Sequence, residues 1–268
     1  AVLNEGMTLL SQVEIFGSSQ DCTVHPLAYP MFYHASFVVN DQLAVCAGVD
    51  GVSCVQGDRY PDGFFCSITK QNDKCHLLNT NTQSWEEGWL KLDTYYSTTL
   101  IGNIKGAVEQ VNLPTIGVYL IQQALTSLRI YFLEAGSGHR DWVWGPSLEE
   151  QLFTCAFPLS ETSFMIVAGK NRHIFNTDIA GPVSSSGWKS SRGFHTARVG
   201  AACAVIGDKA LVAGGQAPDT RNVYNEPNPN LPLDTVDILD LKRNTVHSQG
   251  GRMKKPRINF QVKSKKVP

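Results

Sequence analysis

The sequence predicts an all-β protein of the β-propeller class, and three observations predict it. Short β-branched and aromatic runs, broken by Gly, Asn, Asp and Pro, recur along the 268 residues, the pattern of strands rather than of helices. A unit of strand, polar turn, strand and small residues repeats along the chain. Its spacing, 46 residues from Gly169 to Gly215 and 45 from Ala124 to Gly169, matches the roughly 40–50 residues of a four-stranded propeller blade. Short strands alone suit a sandwich or a barrel equally well; the period selects the propeller.

The repeats follow one another in order. Ala35–Val39, a polar turn and Leu43–Cys46 open the first, ending at Ala47-Gly48; Cys75–Asn79 and Trp85 complete it. The second is degenerate: Gly117–Gln122 runs into Gln123-Ala124, followed by Leu128–Leu133 and by Trp142 and Trp144. The third sets Thr154–Phe157 against Phe164–Ala168, ends at Gly169, and continues through His173–Asn176 to Trp188. The fourth pairs Ala201–Ile206 with Ala210–Ala213, ends at Gly214-Gly215, and continues through Val236–Leu241 to Val246, where a Trp would stand. These units set the repeats at about 31–90, 94–146, 147–190 and 193–251 of a single domain over 1–268, with residues 49–74 a long loop insertion after the first small pair. The one helix-compatible stretch is Ser147–Leu152.

Terminal segments 8–20 and 253–268 supply pieces of a further blade, split or incomplete. Val13–Phe16 reads as an outer strand, and Met253–Arg257 with Ile258–Val262 as the opening of another repeat. Pairing strands from both chain ends is a common way to remove sheet edges. Strand Ile258–Val262 stops without a following partner, so the chain reads as a fragment. No signal peptide stands at its start.

These repeats resemble kelch repeats, in which an apolar strand runs into a diglycine and a Trp follows beyond the next strand. The resemblance spans nearly the whole chain and implies a kelch-type propeller of four recognisable blades plus the split or incomplete fifth. It rests most specifically on Gly214-Gly215, with Ala47-Gly48, Ala168-Gly169 and Gln123-Ala124 as weaker forms. Gly48, Gly169, Gly214 and Gly215 then have a structural role, because Gly permits close backbone approach and positive φ. Trp85, Trp144 and Trp188 supply large apolar bodies between sheets, so they are expected to pack rather than to bind.

Composition narrows the function. With 42% apolar and 18% charged residues the chain is not disordered. Its 23 basic and 24 acidic residues leave a net charge of −1, which argues against nucleic-acid or membrane-surface binding through an overall field. Nine Lys or Arg and no acid lie between Lys242 and Pro268, which we read as a solvated end. No apolar run approaches the roughly 18 residues of a membrane span, so we expect no nucleic-acid partner and no membrane insertion.

No HExxH, GxSxG, P-loop or GxGxxG occurs, and the seven His residues show no ligand-like spacing, so they are expected at surfaces or strand edges. Two enzymatic propeller families weigh little. The repeated Ser-x-Asp-x-Gly-x-x-Trp turns of sialidases are absent, and the Cys–Tyr and His ligand set of the galactose oxidase type finds no specific match. The reading is therefore non-enzymatic, with no metal and no cofactor.

Kelch propellers generally bind other proteins through rim loops, which makes Tyr33 and His34, Tyr95 and Tyr96, and His195 with Arg198 candidate contacts; Arg198 serves equally as a brace between blades. Tyr and Arg are favoured at binding hot spots. Arg59 and Phe64 mark the 49–74 insertion as a second candidate surface. The expected partner is a protein of unspecified identity.

Seven cysteines form no CxxC and no common zinc pattern. Cys155 and Cys203 sit at equivalent places in apolar strands and are expected as buried free thiols. Cys54 and Cys66 bracket a weakly apolar insertion, so a disulfide between them, or from one of them to Cys75, would constrain it; Cys22 has Cys46 as its candidate partner. Such bonds favour an extracellular or cell-surface location. The alternatives are a cytoplasmic kelch adaptor of the BTB and ubiquitin-ligase type and, third, a galactose-oxidase-like copper enzyme.

Overall fold

Backbone ladders turn the strand pattern into sheets, because strands next to each other, mostly joined by short turns, pair antiparallel. The computed structural model describes residues 14–15, 22–23, 25–28, 35–39, 42–46, 49–56, 64–71, 74–91, 109–123, 127–136, 142–150, 153–198, 200–218, 227–247 and 251–255. The chain divides into two compact units, residues 1–108 with 135–142 and residues 109–134 with 143–268.

In the first unit, β1 (Glu14–Ile15) pairs with β2 (Cys22–Thr23). Strands β3 (Ala35–Val39) and β4 (Gln42–Cys46) open the first four-stranded sheet. Strands β5 (Val49–Gln56) and β6 (Phe64–Gln71) then form a hairpin of their own. Next, β7 (Lys74–Asn79) returns to β4, and β8 (Ser84–Lys91) completes the order β3-β4-β7-β8. The stretch expected as a loop insertion is therefore largely a two-stranded element. Trp85 packs against Leu27 and Val45, and its indole N–H donates to the His25 carbonyl at 2.8 Å.

The second unit holds three four-stranded antiparallel sheets. One is β9 (Glu109–Leu113), β10 (Gly117–Gln123), β11 (Leu128–Glu134) and β12 (Val143–Trp144). The next is β13 (Phe153–Pro158), β14 (Ser163–Ala168), β15 (Asn171–Asn176) and β16 (Trp188–Arg192). The last begins with β17 (Ala202–Ile206) and β18 (Lys209–Ala213), departs into the hairpin β19 (Gln216–Pro218) and β20 (Pro227–Pro232), and closes with β21 (Val236–Asp240) and β22 (Thr245–His247). The first strands lie side by side, with β13 against β9 on one flank and β17 on the other.

Apolar faces fill the seams between these sheets. Tyr119 of β10 meets Phe164 of β14 with ring centroids 4.7 Å apart, and Phe175 and Trp188 continue the cluster at 5.0 Å from each other. Leu113, Ile121, Ile130 and Ile166 surround them, all buried. The other seam packs Phe157, Met165 and Val167 against Ala210, Val212 and Leu239. Offset and tilted aromatic pairs of this kind add roughly 0.5–1.5 kcal/mol each beyond area burial.

Helix is nearly absent among the described residues. Thr177–Ala180 forms one turn, α1, capped by the Asn176 side chain accepting from the Asp178 N–H, and a 3-10 turn follows at Ser185–Gly187. The described part of the helix-compatible stretch, residues 147–150, is not helical; Leu148 makes an isolated bridge with Leu128. Pairing with an existing strand satisfies its backbone better than one short helical turn would. No described helix is long and apolar enough to cross a membrane.

Gly169, Gly214 and Gly215 adopt φ of 58°, 65° and 86°, the left-handed region that Gly enters at little cost. Trp144 corrects the packing expectation: it is 56% exposed, on the edge strand β12, where it stacks on Tyr131 with ring centroids 5.1 Å apart.

Candidate functional site

The residues singled out for recognition separate into three groups. Tyr33, His34, Tyr95, Tyr96 and Arg59 lie outside the described residues. Phe64 begins β6, its backbone opposite Gln56. His195 is exposed on the connection between β16 and β17. Arg198, three residues on, is not a rim contact: it is 1% exposed.

Arg198 instead joins the segment before β17 to the two middle strands of the last sheet. Its Nη2 donates to Asp237 Oδ2 at 2.8 Å and to Thr235 Oγ1 at 3.2 Å. Its Nη1 donates to the carbonyls of Gly214 and Thr235, both at 3.0 Å. The Arg198 carbonyl in turn accepts the Thr154 hydroxyl from β13 of the preceding sheet. A planar guanidinium with several donors suits such multipoint bracing better than an ammonium would. Burial lowers the Arg198 pKa, and the adjoining Asp237 carboxylate opposes that shift. The Gly214 carbonyl is thereby an acceptor of the guanidinium, while the requirement for glycine lies in the positive φ at Gly214 and Gly215.

A second polar centre was not foreseen. His173 on β15 is 4% exposed, not a surface or strand-edge residue, and His76 on β7 is 1% exposed. The His173 Nδ1 lies 2.7 Å from Ser190 Oγ, on the neighbouring β16. Its Nε2 lies 2.9 Å from Glu150 Oε1, a close approach that is off the hydrogen-bond direction; the same oxygen accepts from Asn171 Nδ2 at 3.0 Å. Burial lowers the His173 pKa, with Glu150 opposing. The contacts of His173 with Ser190 and Glu150 tie the segment before β13 to β15 and β16. Alongside, Arg172 Nε donates to Ser191 Oγ at 2.8 Å and Nη2 to the Asn244 carbonyl at 3.2 Å, reaching into the last sheet. Sequence spacing did not reveal these residues, because Glu150 precedes its sheet and meets His173 only through tertiary packing.

Cysteine pairing corrects the sequence expectations. Cys46 and Cys75, direct partners across β4 and β7, have sulfurs 2.02 Å apart, so Cys46 is not the partner of Cys22 and Cys75 is not the partner of Cys54 or Cys66. Cys155 and Cys203 are not free thiols: their sulfurs are at disulfide distance, 1.87 Å, between the first strands β13 and β17 of adjacent sheets. Equivalent places in neighbouring repeats face each other when sheets stack by their first strands, which is why the match in sequence position signalled contact rather than isolation.

Among the described residues, no group of three or more His, Cys, Asp or Glu is placed to hold a metal ion. No family model matches the chain, and no curated protein matches it. Among solved structures, that of YjhT is similar with a TM-score of 0.60 and 9% sequence identity, over 96% of this chain and 87% of that one. At that identity the likeness is one of fold.

Proposed function

We propose that this chain is a non-catalytic protein-interaction module on a kelch-type β-propeller, acting at the cell surface or after secretion. The observation that carries the reading is the placement of the two hairpins. Strands β5–β6 and β19–β20 both leave their sheets between the second and third strands, immediately after the small-residue pairs Ala47-Gly48 and Gly214-Gly215. A braced sheet that repeatedly extends a hairpin from one step of its repeat is the arrangement of a scaffold presenting recognition elements. The stacking of three sheets by their first strands and the similarity in fold to YjhT support the propeller.

Two disulfide-distance pairs favour an oxidising compartment over the cytoplasmic adaptor reading. They also remove four of the seven cysteines from the crosslinking chemistry that a galactose-oxidase-like enzyme requires. The test is partner capture by chemical crosslinking from an extracellular fraction, comparing the intact chain with a version in which residues 49–71 are replaced by a short Gly-Ser turn. A partner held by the intact chain and lost from the shortened, still folded one supports the reading. Equal capture by both puts recognition elsewhere, and stoichiometric copper in the purified protein overturns the non-catalytic assignment.

A further inference from the structure

We propose that Cys54 and Cys66 form a third disulfide, a staple across the β5–β6 hairpin. The two residues are direct partners in the antiparallel ladder. Such partners have Cα atoms about 4.5–5.5 Å apart, within the span of a disulfide. The neighbouring alternative is closed, because Cys75 is held by Cys46.

A staple would also brace a two-stranded element. Strands β5 and β6 form a two-stranded sheet apart from the four-stranded ones, and an isolated hairpin is marginal in water. Its counterpart β19–β20, at the same step of the fourth repeat, contains no cysteine but has Pro218, Pro227, Pro229 and Pro232 within its strands. Proline limits the unfolded chain by fixing φ; a disulfide limits it by closing a loop. The two hairpins thus meet one physical problem with two kinds of restraint, and neither depends on a partner being bound.

The bond forms by thiol–disulfide exchange with an external disulfide donor, such as a folding oxidase of the secretory route. One cysteine thiolate attacks the donor and displaces one of its sulfurs as a thiolate. The second cysteine thiolate then displaces the other donor sulfur. The two cysteines lose two protons and two electrons, and the donor leaves as its dithiol. Seven cysteines with three disulfides leave one thiol per chain, on Cys22.

The test is peptide mapping of the unreduced full chain, alkylated in denaturant and cut before aspartate. Cuts at Asp41, Asp50, Asp58, Asp62 and Asp73 place Cys46, Cys54, Cys66 and Cys75 on separate peptides. The expected result is a linked pair of peptides 50–57 and 62–72 that separates on reduction, with a single alkylated cysteine, Cys22. Alkyl groups on both Cys54 and Cys66, or a link from either to Cys22, overturns the staple. Neither outcome bears on the interaction reading, which the hairpin replacement tests separately.

Discussion

Arg198 shows how one side chain holds several segments together, and what its loss would do. Its guanidinium and the Asp237 carboxylate are 1% and 2% exposed, so removing either leaves the other charge buried without its partner. Breaking such a pair costs about 3–5 kcal/mol. Asp237→Ala should lower unfolding free energy by that amount in denaturant titration, and Arg198→Met/Asp237→Leu should recover part of it, since the orphaned Gly214 and Thr235 carbonyls remain. A loss below about 1 kcal/mol for Asp237→Ala would contradict the brace. The buried histidines make a second expectation at this scale. His76 and His173 both have pKa values lowered from 6.5 by burial. The unfolded chain therefore takes up protons first as pH falls through about 6.5. Stability is full above that value and declines on acidification until the folded-state pKa values are passed. Around His173 the facing groups are Glu150, Asn171 and Ser190. His173→Gln should flatten the decline between pH 7 and 5 in thermal melts; an unchanged slope would assign it elsewhere.

Gly117 sets the scale of the element, because a single backbone position decides whether β10 can pair with its neighbours. Its φ is 149°, and a Cβ there would stand 2.1 Å from the Leu133 carbonyl of β11. Backbone cannot retreat as a flexible side chain can, so Gly117→Ala should cost at least about 2–3 kcal/mol and selectively weaken hydrogen-exchange protection across β9–β11. Protection equal to that of the unsubstituted chain would mean that the ladder shifts freely. The strands themselves were legible where β-branched and aromatic residues run uninterrupted, as in Ala35–Val39, Phe164–Ala168 and Val236–Leu241, since such runs suit a pleated, buried surface. Hairpin β19–β20 was not legible, because Pro227–Pro232 reads as a strand breaker. Hairpin β5–β6 was mistaken for a loop because its own apolar content did not announce a core. Between the two roles offered for Arg198, rim contact and brace, the sequence alone could not choose, because a charged residue on a connecting segment looks exposed until Asp237, 39 residues later, is brought against it.

At the scale of the whole molecule, the two cysteine pairs set the expected dependence of folding on redox conditions. The pairs span 29 and 48 residues, and loop-closure entropy alone assigns them about 3.6 and about 4 kcal/mol. Their loops do not overlap in sequence and lie in different units, so the two contributions should add closely. The sum, about 7–8 kcal/mol, is comparable with the entire stability of a typical domain, about 5–15 kcal/mol. A reducing compartment would therefore leave the fold marginal, which connects the cysteine pairing to an oxidising location by magnitude rather than by habit. Reduction and alkylation under native conditions should lower the melting temperature by about 15 °C or more for a chain of this size. Cys155→Ala/Cys203→Ala should reproduce about half of that loss, because this pair links β13 to β17 across a sheet seam. A melting temperature unmoved by reduction would show that the apolar seams suffice by themselves, and the case for an oxidising compartment would fall with it.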